Sequence, residues 1–365
     1  MTSWNELLRF TRAHQGELTL SVYIASAPAD PGERQSWLVM LRNELNAISD
    51  GMEDSPAEER EAFGRCVAKL FEQLPAQGTM PRDHSWAFFA AAGGDDLALS
   101  LPRGVETSVH WGLGARVVPF LRVAEPEEAL VVQVDRQGAR LSRFAYGEFG
   151  EPVLLEAEEV DEVGPHMSAP SRTGFHGGTR GTPGADEAQR QRREATDRLH
   201  SSVVRRVAAM AELRMPILIG GAPDAAVHVL EALPAATRER AILAPDLRMG
   251  APRDYLDEIR AALHALHARQ QEERVTALRD LALAGGKAAI GYPVAERAAQ
   301  MGAIAELIFS TEAWRQHPLE IESLVRRALV DGAEVEVLEP TVAAAMDGTA
   351  DGIITGLRFP LEALP

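Results

Sequence analysis

From Gly164 to Gly184 the chain is dominated by Gly, Pro, Ser, Thr and His, with Met167 and Phe175 as its only large apolar residues. A stretch so poor in apolar surface has little to offset the entropy of ordering its own backbone. No packed element is expected there. A long exposed loop is expected there, and loops of more than about 12–15 residues inside a compact domain are usually functional or disordered.

The two flanks of this stretch differ in pattern. Before it, "ALVVQVD", "GARLSRFAYG" and "PVLLEAEEV" read as three strands joined by turns at Arg136-Gln137-Gly138 and Glu148-Phe149-Gly150. After it, Ala185 to Glu212 carries a helical pattern with Asp186 as N-cap. "MPILIGG", a helix from Pro223 and "RAILAP" then give a β-α-β alternation, the pattern of an α/β domain.

Outside this middle region the same reading gives two further α/β units. At the N-terminal end there is a helix over Trp4 to His14, a buried strand over Leu18 to Ala25, and helices over Glu33 to Ser49 and Pro56 to Leu74. A hairpin follows around Gly93-Gly94-Asp95-Asp96. The polar, proline-bearing stretch Arg122 to Ala129 marks a boundary. At the other end, Arg253 to Leu283 supports one long helix linking two domains. Strands "KAAIGY", "AIAELIFS", "AEVEVLE" and "GIITGLRF" alternate with helices ending at Met301 and spanning Pro318 to Val330. The expected architecture is α/β in three domains: 1–125, 126–250 and 251–365.

Charge narrows the function classes. The 54 acidic and 37 basic residues give a formal charge of −17, so a dedicated DNA coat does not fit. Yet Ser171 to Arg193 holds five arginines (Arg172, Arg180, Arg190, Arg192 and Arg193) against Asp186 and Glu187, a local formal charge of +3. Arginine forks bind phosphates bidentately, and glycines let a backbone approach a polynucleotide closely. The N-terminus lacks the apolar core of a signal peptide, and no run approaches the ~18 apolar residues of a membrane span. A single cysteine, Cys66, excludes an internal disulfide framework. A cytoplasmic protein without membrane association is expected.

Other motifs read as structural. Gly285-Gly286-Lys287 lacks the first glycine and the Ser/Thr of a phosphate-binding loop and reads as a helix C-cap. Gly220-Gly221-Ala222-Pro223 could cradle an anion at a helix N-terminus, but such glycines also serve a tight strand-to-helix turn. His264 and His267 lack the further ligands of a metal set, and Cys66 sits on an amphipathic helix without a histidine signature. No metal and no cofactor is expected.

The loop and its helix resemble the middle domain of the class I peptide release factors of archaea and eukaryotes and their relative Pelota. In that family the loop carries Gly-Gly-Gln and an Arg-rich helix follows; here Gly177-Gly178-Thr179 and Arg190 to Arg193 stand in those places. "DGIITGLRF" is similar to the Gly-Ile-Ala-x-x-Leu-Arg-Tyr ending of the family's third domain, and "GGKAAIGYPVAERAAQMGAIAELIFS" resembles an earlier part of it. The resemblance covers about residues 125–365 and points to a bacterial-type member. It implies a ribonuclease H-like middle domain and a C-terminal α/β/α sandwich. It also implies a ribosomal partner, with contact to ribosomal RNA in the A site, and leaves room for a translational GTPase or elongation factor as a second one.

Two departures shape the functional expectation. Nothing between Met1 and Glu125 matches the Asn-Ile-Lys-Ser motif with which release factors read stop codons. Thr179 replaces the glutamine that places the attacking water on the peptidyl-tRNA ester, and threonine has no amide, though its backbone N–H could stabilise developing charge. The leading expectation is a tRNA-shaped occupant of the A site acting in ribosome rescue or hibernation. Gly177, Gly178 and Thr179 would then lie near the tRNA acceptor end, and Arg172, Arg180, Arg190, Arg192 and Arg193 on RNA. A codon-independent peptidyl-tRNA hydrolase using the same loop, and a protein-binding module of the same fold, are the alternatives.

Overall fold

The computed structural model describes residues 2–25, 36–74, 85–101, 104–123, 128–145, 147–158, 183–212 and 215–361. The chain divides into two compact units, residues 1–125 with 267–365, and residues 126–266.

The first part of the first unit runs α1 (Thr2–Ala13), β1 (Leu18–Ile24), α2 (Ser36–Asp50), α3 (Ala57–Gln73), β2 (Ser85–Ala91), β3 (Asp96–Leu101), β4 (Ser108–Leu113) and the single turn α4 (Val118–Leu121). The strands form an antiparallel sheet in the order β3-β2-β1-β4. Side chains alternate across a strand, so β1 and β2 send Leu20, Val22, Ile24, Trp86 and Phe88 to one face, where Leu41 of α2 and Phe63, Cys66 and Leu70 of α3 cover them. Tyr23, Ala87 and Phe89 point to the other face. Burial on both faces explains why these strands read as continuous apolar runs.

The second unit begins with β5 (Glu128–Val134), β6 (Gly138–Ala145), β7 (Glu148–Phe149) and β8 (Val153–Glu156). It continues with α5 (Pro183–Met210), β9 (Ile217–Gly221), α6 (Pro223–Ala232), α7 (Ala235–Arg238), β10 (Ala241–Leu243), a 3-10 turn (Pro252–Tyr255) and the start of α8 (Leu256–Leu283), which runs on into the first unit. β5 pairs antiparallel with β6 and parallel with β9, β9 pairs parallel with β10, and β7 and β8 both pair antiparallel with β6. One face, with Leu130, Val132 and Ile219, lies under Leu199, Val203 and Val207 of α5 and Val229 of α6. The other, with Val131, Phe144 and Leu218, is covered by Leu247 and by Ile259 and Leu263 of α8.

Three local expectations are corrected. Glu148-Phe149 is a short strand against Phe144 and Ala145 rather than a turn, because the chain has already reversed at Gly147, whose φ of 82° suits glycine. α5 starts at Pro183, so Asp186 lies inside the helix and is not its N-cap; a proline is preorganised for the first helical position, where its missing N–H costs nothing. The long helix opens as a 3-10 turn at Pro252 before α8 proper.

The remainder of the first unit holds β11 (Ala288–Ile290), α9 (Tyr292–Gln300), β12 (Ile304–Phe309), α10 (Thr311–Gln316), α11 (Pro318–Val330), β13 (Glu334–Val337), α12 (Pro340–Ala350) and β14 (Ile353–Leu357). The sheet order is β11-β14-β12-β13, with β14 antiparallel to β11 and β12. Leu278 of α8 and Val342, Ala343 and Met346 of α12 pack on Ile308 and Ile354. On the opposite face Leu307, Phe309 and Ile353 share a single core with Ala295 of α9, Leu324 and Val325 of α11, and Leu7, Tyr23, Phe89 and Phe120 from the first 125 residues. That shared core makes residues 1–125 and 267–365 one unit.

Candidate nucleic-acid interface

The site is built on the amino-terminal turns of α5. Its buried anchors, Ala195, Leu199, Val203 and Val207, recur every four residues. From Gln189 to Glu194 every side chain is exposed. The helix is therefore seated by its later turns and presents Arg190, Arg192 and Arg193 to solvent, with Arg190 Nε 3.7 Å from Glu194 Oε1. The other sequence-derived positions, Arg172, Gly177, Gly178, Thr179 and Arg180, lie outside the described residues.

A groove of about 1360 Å3 runs beside these turns, between α5, the β5–β6 turn and β8. Arg192 and Arg193 line it together with Arg136 and Arg140. Sequence reasoning missed the last two. The register that pairs Gln133 with Arg140 across a tight turn brings them to α5 from more than 50 positions away, and no local motif signals that. Hydrogen bonds hold the wall in place. Asp135 Oδ1 accepts the N–H groups of Gln137 (2.7 Å) and Gly138 (2.8 Å), which shapes the turn, and Arg140 Nη1 donates to the Gly250 carbonyl at 2.7 Å. Thr196 Oγ1 lies 3.3 Å from the Arg136 carbonyl, and His200, 6% exposed, places Nε2 3.4 Å from that of Asp135. Burial is the main cause that lowers the His200 pKa, so the ring that ties α5 to the turn stays neutral at pH 7.

Carboxylates share the groove. Asp135, Glu156, Glu158 and Asp197 also line it, and Glu158 pairs with Arg198 at 2.7 Å. The groove is thus a balanced surface whose cations come from two elements, with the α5 arginines at its exposed edge.

The remaining motifs resolve as packing. At Gly220-Gly221-Ala222 the N–H of Gly221 donates to Leu247 O (2.6 Å) and that of Ala222 to Val134 O (2.8 Å), which leaves neither for an anion. Gly285, at φ 69°, and the Gly286 N–H to Leu281 O bond close α8 as a C-cap. Cys66 is 2% exposed with Sγ 3.5 Å from Ala90 O, and burial raises its thiol pKa, which opposes nucleophilic use. Among the described residues there is no group of three or more His, Cys, Asp or Glu side chains that could hold a metal ion. None of the described helices is long and apolar enough to cross a membrane.

Residues 116–272, which include this groove and α5, match the family model described as bacterial archaeo-eukaryotic release factor family 10. Over that stretch the chain is similar to the bacterial archaeo-eukaryotic release factors. Among solved structures, Archaeoglobus fulgidus Pelota is similar at 12% identity over 77% of this chain and 80% of that one, with a TM-score of 0.40. Saccharomyces cerevisiae Dom34, a translation termination-like factor involved in RNA quality control pathways and interacting with Hbs1, is similar at 12% identity over 76% and 80%, with a TM-score of 0.41. Archaeal Pelota from a ribosome-bound model with ABCE1 is similar at 10% identity over 98% and 94%, with a TM-score of 0.39. No curated protein matches the chain. The match to the family model is confined to residues 116–272.

Proposed function

We propose that this protein is a cytoplasmic, ribosome-associated translation factor that occupies the A site as a tRNA mimic. It acts in ribosome rescue or hibernation and does not read stop codons. The observation that carries the reading is the arginine-bearing start of α5, at a groove it shares with Arg136 and Arg140, inside the family-matched segment. Arginines on an exposed helix end neutralise phosphates and release counterions, which suits a target of folded RNA. The strand order around β5 supports a ribonuclease H-like middle domain, and helices on both faces of the sheet around β14 support a C-terminal sandwich. Arg172 and Arg180 extend the RNA contact, and Gly177, Gly178 and Thr179 face the tRNA acceptor end. A translational GTPase is the second partner by analogy with Dom34, which interacts with Hbs1.

The test is co-sedimentation with ribosomes on sucrose gradients across a salt series. The wild-type protein should bind, with log affinity falling as log salt rises. The triple variant R190E/R192E/R193E should bind more weakly and with a shallower slope, because fewer phosphates are neutralised. Unchanged binding and slope would assign the site to protein recognition instead.

A further inference from the structure

Glu322 is a carboxylate at 2% exposure on α11, flanked there by the buried apolar residues Ile321, Leu324 and Val325 and, one turn on, by Arg326. Its side chain crosses to the N-terminal segment of the same unit. Oε2 accepts the N–H of Val117 at 2.9 Å and Oε1 that of Val118 at 3.1 Å, positions 205 and 204 residues away. These N–H groups open α4, where backbone donors have no partner within the helix. Around this contact Val117, Val118 and Phe120 pack with Ile321, Leu324 and Val325 in the shared core. The carboxylate is thus buried at a joint between apolar side chains of α4 and α11.

Each element packed against it contributes charged or titratable groups. Before α4, Arg116 places Nε 3.6 Å from Glu322 Oε1. On α11 itself Arg326 donates to the Ala115 carbonyl at 3.3 Å, and from β1 the Tyr23 hydroxyl donates to the Arg116 carbonyl at 2.6 Å. On α10 the Trp314 ring lies 5.3 Å from the Arg116 guanidinium carbon and 5.6 Å from that of Arg122. His110 of β4 is near enough to Arg116 and Arg326 for both to lower its pKa. We propose that Glu322 is a proton-operated pin of this joint, holding α4 against α11 when protonated and making their separation easier when ionised.

The direction follows from solvation. An ionised carboxylate regains water when the joint opens, whereas a protonated one gains much less. Burial pushes the Glu322 pKa from 4.5 up to about 7, outweighing the Val117 and Val118 N–H groups and the two arginines that pull it down. Since the closed-state value is raised, the stabilisation is complete below about 4.5 and is lost as pH rises through about 7. The neighbours do not titrate between pH 6 and 8. His110 is held neutral down to about 4, the Tyr23 hydroxyl stays protonated, and guanidinium groups keep their charge. Linkage then predicts that the opening constant rises roughly tenfold between pH 6 and pH 8.

Amide hydrogen exchange of the full chain reads this directly, because the Val117 and Val118 amides are the donors. After correction for base-catalysed intrinsic exchange, opening in a peptide spanning 115–121 should rise roughly tenfold from pH 6 to pH 8 in the wild-type protein. It should change less than twofold in Glu322→Gln, which cannot ionise. A wild-type ratio near one overturns the proposal, and this result stands even if the variant fails to fold. A tenfold rise that persists in Glu322→Gln also overturns it, because another group would then be responsible.

Discussion

A Cβ placed on Gly221 would stand 2.0 Å from the carbonyl oxygen of Val134. The two residues are register partners where β5 and β9 end side by side, and Gly221 holds φ at 109°, a region L side chains rarely adopt. The approach lets the Ala222 N–H reach Val134 O at 2.8 Å, and α6 starts immediately afterwards at Pro223. It also fixes the end of β5, from which the turn carrying Arg136 departs into the groove. A glycine pair that in the sequence could serve an anion instead sets the geometry behind the arginine-lined wall.

Gly221→Ala should therefore destabilise the second unit. Val134 cannot retreat, since its carbonyl accepts the Ala222 N–H and its side chain is buried. Steric overlap added to a disfavoured φ should cost about 3 kcal/mol or more. Urea unfolding followed by circular dichroism measures the loss, and a variant within about 0.5 kcal/mol of wild type would show that the strand ends can part.

Stability at acid pH should depend on His110. Burial first, then Arg116 and Arg326, push its pKa from 6.5 down to about 4. The folded-state value is depressed, so the stability linked to the neutral ring is complete above about 6.5 and is lost as pH falls through about 4. His110→Gln removes this term and keeps a polar side chain. Relative to the variant, the wild-type protein should lose stability between pH 6.5 and pH 4.5, and urea midpoints at three pH values in that range read the divergence. Glu322 titrates in an overlapping window but is present in both proteins, so its contribution cancels in the comparison. Parallel curves would mean that the ring is solvated.

The parts of this fold that were legible in the sequence are those where burial is dense and local. β5, β6, β9 and the later turns of α5 are continuous or periodic apolar patterns bounded by turns, and each was recovered within a few residues. β4, "SVHWGL", escaped because its side chains are only half-buried at a sheet edge and show no alternation. α10 is too short for a period, and α12 is rich in alanine with a glycine in its last turn, so neither announces a face. The shared core of residues 1–125 and 267–365 is a tertiary fact. Glu322 sits in a sequence that reads as an ordinary amphipathic helix, and only the arrival of Val117 from 205 positions away turns its carboxylate inward. Arg136 and Arg140 were missed for the same reason, whereas Arg190, Arg192 and Arg193 were found because they are contiguous.

The chemistry at the loop is where the proposed role and peptidyl-tRNA hydrolysis separate. In the proposed reading Thr179 stands in for the glutamine of the resembling family, and threonine offers a hydroxyl on a short stem with no amide to hold a water against an ester. The purified protein should release no peptide from ribosome-bound peptidyl-tRNA, and Thr179→Ala should leave ribosome affinity within about twofold, since binding is assigned to the arginines. Thr179→Gln restores the missing amide. If Thr179 lies at the acceptor end, this single change should produce measurable release, and adding Gly178→Val should abolish it, because a branched side chain next to the reacting position would block the close approach a glycine allows. Release is scored as labelled peptide freed in single-turnover reactions at saturating factor. Robust release by the unmodified protein would make it a hydrolase and displace the A-site occupant reading, while an inactive Thr179→Gln that still binds ribosomes would place the loop away from the ester.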